Sequence, residues 1–191
     1  MEREFEVQSF AGQEDLHAWL DAHGASAPGL YVLLAKKSAA FSTITWAQLV
    51  EVLLCHGWID GRGNRYDDTS WTIRVTPRRA RSVWSQKNVE TVDRLIASGQ
   101  MRPAGLVHVE TAQADGRWAA AYGGSAAIEV PEDLIAALDA VPGARSAFEA
   151  LNRTARYSVL FRVQTAAKAA TRAARIARAV AQLTPAGEPD A

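Results

Sequence analysis

The chain has 191 residues, with 21 Lys plus Arg against 21 Asp plus Glu, and a formal net charge of zero. That length holds one or two domains and a core large enough to need no staple. A single cysteine, Cys55, excludes an intrachain disulfide and a thiolate-built metal site, and the neutral total argues against a protein that coats nucleic acid by overall charge.

The opening MEREFEVQSF lacks the basic and apolar regions of a secretory leader, and no apolar run approaches a membrane span, so a cytoplasmic protein is expected. Residues 3–8 (REFEVQ) alternate and predict a first strand. Residues 12–23 carry Leu16, Trp19 and Leu20 at helical spacing, and Gly24 stands where a left-handed residue closes a helix. The apolar run Leu30–Ala35 predicts a buried strand ending at Lys36 and Lys37. Ser42 to Thr45 offer N-caps for a helix with the stripe Trp46, Leu49, Val50, Leu53 and Leu54, which stops at Gly57. Trp58 to Gly61 predicts a tight strand and turn. Residues 70–76 (SWTIRVT) alternate, with Trp71, Ile73 and Val75 on one face, and Pro77 ends that strand. Helices are predicted from Ser85 through Ile96, closed by Gly99, and from Pro103 to Ala114.

After Gly123 and Gly124 the composition changes, and residues 131–183 contain no strand pattern. Pro131 suits the first position of a helix. Pro142 and Gly143 punctuate, and two more helices follow, the last over residues 165–183. The tail TPAGEPDA reads as disordered. The class expected is α+β: a small twisted sheet of about four strands with flanking helices over residues 1–123, an all-helical C-terminal domain over 131–183, and a tail over 184–191. The boundary falls in residues 123–130.

The neutral total hides segregation. Residues 1–60 carry −5, 61–102 carry +5, 103–143 carry −5, 144–180 carry +7 and 181–191 carry −2. Either the blocks neutralise one another across the fold, or the basic ones meet around an anionic ligand.

The strings YVLLAKKS, TWAQLVEVLLCHGWIDG and TIRVTPRRARSVWSQKN, within residues 30–105, together with LNRTARYSVLFRVQTAAKAATRAARIARAVAQL near the C-terminus, resemble the YdeI/OmpD-associated, bacteriocin-protection family. The resemblance implies a role in stress or bacteriocin protection. It carries over no catalytic residues, so residue roles have to come from chemistry.

Trp58 and Asp60 sit two apart and share a face of an extended segment, an aromatic and a carboxylate of the kind that line ligand pockets. The plainer reading is a structural turn with Trp58 in the core. The loop Thr76-Pro77-Arg78-Arg79 leads to Ser82, Trp84, Ser85 and Asn88, where a helix start and guanidinium forks favour an anion. Alternatively Ser85 only caps its helix and the arginines face acidic segments. Lys37 ends a strand, and Arg74 lies on the polar face of another, so both extend the candidate ligand set. Trp58 and Trp84 flank the polar motifs as pocket walls, whereas Trp46 and Trp71 fit apolar stripes and are expected in the core. Cys55 reads as a small buried residue, and His56 as a helix cap when charged or as a general base. No metal-ligand histidine spacing occurs, so neither metal nor cofactor is expected. Lys168, Arg172, Arg175 and Arg178 form one cationic helix stripe, suited to a phosphate backbone or to a solvated face.

The function expected is binding of a small, anionic molecule by Trp58, Asp60, Arg74, Arg78, Arg79, Trp84, Ser85, Asn88 and Lys37. One alternative is an enzyme using Asp60 or His56 as acid or base in the same pocket. Another is nucleic-acid binding through Lys168, Arg172, Arg175 and Arg178. The C-terminal helices also suit an oligomer contact.

Overall fold

The computed structural model describes residues 4–124 and 128–184. Its chain divides into two compact units, Met1–Trp84 with Asn88–Ala120 and Ser85–Lys87 with Ala121–Ala191. Residues 125–127, inside the expected boundary, and 185–191 of the expected tail lie outside the described residues. The class is α+β.

The first unit is a four-stranded mixed sheet with helices. β1 (Val7–Ser9) runs parallel to β2 (Leu30–Ala35), which pairs antiparallel with β4 (Ser70–Pro77), and β4 pairs antiparallel with β3 (Trp58–Arg65). The order β1-β2-β4-β3 leaves β3 at an edge. In the registers Leu30↔Val75, Val32↔Ile73 and Leu34↔Trp71, directly opposed residues share a face. That face meets Leu16 and Leu20 of α1 (Gln13–His23) and Leu49, Val52 and Leu53 of α2 (Trp46–Cys55) in one core. Thr45 caps α2 with a full capping box, its side chain accepting from Gln48 N while Gln48 accepts from Thr45 N. α3 (Gln86–Ala97) and α4 (Pro103–Ala114) follow, and Pro103 stands in the first turn of α4.

The expected first strand is shorter and later than residues 3–8. Arg3 lies outside the described residues, and Glu4 and Phe5 are drawn off the ladder: Glu4 pairs with Arg74, and Phe5 packs on Tyr31. The turn expected at Gly61 is instead strand. β3 continues to Arg65 because a register shift between Asp60 and Gly63 absorbs the irregularity. Gly24 ends α1 in a right-handed conformation, φ −60. Its glycine serves proximity, since a Cβ there would stand 2.4 Å from Leu20 O.

The second unit is helical. α5 (Glu132–Asp139), α6 (Ala144–Glu149), α7 (Arg153–Gln164) and α8 (Ala169–Leu183) bury Leu134, Leu138, Phe148, Leu160, Val163, Ile176 and Val180 together. Pro131 is the N-cap of α5 rather than its first residue. Three helices follow it, not two. The six-residue α6 is too short to show a period in sequence, and residues 165–168 separate α7 from α8. Among the described residues, no helix is long and apolar enough to cross a membrane.

Candidate functional site

The chain reverses at Gly57, whose φ of +71 suits glycine, so β3 runs back beside the helix that precedes it. Between them lies a shallow niche, too tight to hold a water molecule, lined by Val50, Leu53 and Leu54 from α2, Trp58, Ile59 and Asp60 from β3, and Arg78 and Asn88. Four residues singled out in the sequence, Trp58, Asp60, Arg78 and Asn88, therefore line one pocket. Trp58 is also core: it is 2% exposed, packs edge-on against Trp19 at 5.9 Å, and its indole N–H donates to Gly24 O.

Arg78 is buried, yet its guanidinium is placed. Its central carbon lies over the Trp84 ring, 3.6 Å from the centroid, and one N–H donates to Val83 O at 3.3 Å. Trp84 meets Trp118 edge-to-face at 4.8 Å. It thus backs Arg78 as a stacking platform and does not line the pocket. Trp46, expected in the core, is 44% exposed. Its indole N–H donates to Asp60 Oδ2 at 3.2 Å, fixing the carboxylate at the rim. Apolar spacing alone put Trp46 inside. The sequence signal that places it here is tertiary: it stands one helical turn before Val50, on the side of α2 that β3 folds back along.

The other expected ligand residues lie elsewhere. Arg79 is exposed, and its N–H donates to Ser82 Oγ. Lys37 is exposed beyond β2. Arg74 pairs with Glu4 and lies over the Phe5 ring. Ser85 bridges to Tyr122 within the second unit.

A second polar cluster joins α1, α2 and the entry to α4. His17 Nδ1 and His56 Nε2 stand 2.8 Å apart and share one hydrogen. His56 Nδ1 lies 3.8 Å from Asp21 Oδ1, and Arg102 lies 3.8 Å from the other Asp21 oxygen. Burial pushes His56 down to about 4, helped by the neighbouring His17 and opposed by Asp21. Burial and Arg102 hold His17 below its ordinary value. His56 does occupy the C-cap of α2, but as a neutral ring committed to His17. The expected charged cap is corrected by its burial, and His56 is absent from the pocket lining that contains Asp60. Burial raises the Cys55 thiol to about 11, which keeps it protonated and inert at neutral pH. Among the described residues, no group of three or more His, Cys, Asp or Glu is placed to hold a metal.

On α8 the cationic stripe is partly consumed. Arg172 forks onto Asp133 at 2.6 and 2.8 Å and donates to Val163 O, while Arg175 donates to Arg162 O at 2.5 Å and to Thr165 Oγ1. Both guanidiniums thus hold the C-terminal carbonyls of α7. Lys168 and Arg178 are exposed.

An α+β unit with a cleft beside its edge strand, followed by a helical unit, is the class these features define. Residues 8–108 match the family described as Domain of unknown function (DUF8412), and the chain belongs to that family. Residues 127–184 match the family described as Bacteriocin-protection, YdeI or OmpD-Associated. The resemblance seen in the sequence thus rests on the helical segment, while the GWIDG and PRR strings fall within the first match. No curated protein and no solved structure matches the chain.

Proposed function

We propose that the first unit is a binding module for a small anionic group. The observation that carries this reading is that Arg78, set over Trp84, Asn88 and the Trp46-held Asp60 line one niche beside Val50, Leu53 and Leu54. Trp84 backs the Arg78 guanidinium, and a planar fork suits a carboxylate or phosphate. Asn88 adds a second polar group. Asp60 accepts an N–H or hydroxyl carried by the same ligand. The niche as it stands is too tight for a water molecule, so only a small group that parts the lining side chains fits it. It therefore takes a small acid, or the acidic end of something larger. Protection against bacteriocins is the setting that the description of the helical family suggests for such binding.

Thermal unfolding with millimolar isovalerate, acetate or inorganic phosphate tests the reading, because a ligand selective for the folded state raises Tm. The expected result is a rise with at least one anion, reduced in Asn88→Ala and kept in Lys37→Ala. No rise with any of them, or equal rises in both variants, contradicts the pocket.

A further inference from the structure

We infer that α4 is an acid-released flap: it sits on the Gly57 reversal while three histidines around that corner are neutral, and lifts from it once they take up protons. His56 immediately precedes Gly57 and shares a hydrogen with His17 of α1. His108 of α4 lies against Gly57 itself, where a Cβ would stand 2.5 Å from its Cδ2 and 2.8 Å from Ala104 O. The helix is tied to the corner by backbone: Arg102 N–H donates to Cys55 O at 3.2 Å, and Gly105 abuts the carbonyls of Leu54 and Cys55. Its apolar anchorage is slight. The buried residues of α4 are Gly105, Val109 and Ala112, none larger than valine, while Val107 is 58% exposed. A helix that buries so little apolar surface opens before the rest of its fold does.

Charge around the corner sets the direction. The groups acting on the three rings are Asp21 on α1, Arg102 at the N-cap of α4, and Arg78 and Arg117 beside His108. Glu51 of α2 and Arg94 of α3, the charged neighbours of Cys55, are paired with each other. Among the described residues, Asp21 is thus the only carboxylate acting on these rings, and Arg102 already lies 3.8 Å from it. A proton on His17 or His56 stands beside Arg102, and one on His108 stands beside Arg78 and Arg117. Because Arg102 and His108 belong to α4, acid sets that helix against the corner it covers. Burial first, and these cations next, hold all three rings below their ordinary value. The seated flap therefore belongs to neutral pH. The lifted form, whose rings reach water, takes up protons and gains population as pH falls below about 6.5.

The chain's single cysteine reads this motion. Cys55 is buried but stands outside the main core of the sheet, in the turn of α2 on which α4 presses. The test labels the full chain with 4,4′-dithiodipyridine between pH 7.5 and 5.5, dividing each rate by that of the urea-unfolded chain at the same pH. The relative rate is expected to rise with acid. His56 alone, returning from about 4 toward 6.5, supplies about tenfold over that range. His17→Gln and His108→Gln each reduce the rise, whereas the exposed His23, the fourth histidine, is replaced by Gln without effect on it. The amides of Val32 and Ile73 in the central strands stay protected from hydrogen exchange throughout. A relative rate that is flat or falls with acid overturns the release, as does an undiminished rise in both variants. A rise matched by exchange of the Val32 and Ile73 amides marks global unfolding and overturns it too.

Discussion

His56 shows how a residue's neighbours can reverse its sequence-level role. A histidine at a helix C-terminus suggests a stabilising positive charge. Here the ring is buried, and its Nε2 is taken by His17 at 2.8 Å. Two imidazolium rings at that distance repel, and burial penalises even one. The folded pKa of about 4 lies below the ordinary imidazole value of 6.5, so the unfolded chain binds this proton first. The contribution is therefore fully present above pH 6.5 and is lost as pH falls from there toward 4. His17 and His108, both also lowered chiefly by burial, add to the same slope. Urea unfolding at pH 7.5 and pH 5 is expected to show a loss that is clearly smaller in His56→Gln. An identical loss in that variant contradicts the assignment. None of this was legible in the sequence, because His17 and His56 are 39 residues apart and no local pattern joins them.

At the scale of elements, local chemistry was the more readable part. The Leu30–Ala35 run, the Thr45 cap and the alternation over residues 70–76 each specify a structure from near neighbours, and each element stands where its pattern put it. Thr45→Ala removes the reciprocal capping bonds and is expected to cost about 1 kcal/mol by chemical denaturation. What sequence could not give is how elements approach. Gly105 on α4 is buried, and a Cβ there would stand 2.4 Å from Cys55 O and 2.6 Å from Leu54 O. Both carbonyls are backbone and cannot yield as a side chain would. Gly105→Ala is therefore expected to destabilise by more than the Thr45 cap, in the range of about 1–3 kcal/mol for overpacking. A neutral effect would mean that α4 does not press on the end of α2. The same tertiary dependence hid the exposure of Trp46, since an indole on an apolar stripe looks internal until β3 folds back beside it.

For the whole molecule, segregated charge proved a weak guide to partners. The most basic segment, residues 144–180, spends two of its arginines inside the helical unit. Arg172→Ala loses the fork to Asp133 and the bond to Val163 O, so it is expected to lower stability by about 1 kcal/mol. Duplex DNA titrated at low salt is expected to bind the variant no more weakly than the parent chain. A steep loss of salt-sensitive DNA affinity in Arg172→Ala would favour the phosphate-binding role instead. The candidate pocket was half legible. The motifs around Trp58 and Arg78 named four of its residues, because polar groups interrupting apolar strands stand out in sequence. Val50, Leu53, Leu54 and Ile59 passed as ordinary core.

The central claim is that a small acid seats between α2, β3 and Arg78. A ¹H–¹⁵N correlation spectrum of the full chain, titrated with isovalerate at constant pH and ionic strength, addresses it at residue resolution. Saturable shifts are expected in the amides of Leu53, Leu54, Ile59, Asp60 and Asn88 and in the indole N–H of Trp46, with Lys37, Arg172 and Arg178 unmoved. Saturable shifts confined to the C-terminal helices, or none at all, would contradict the claim.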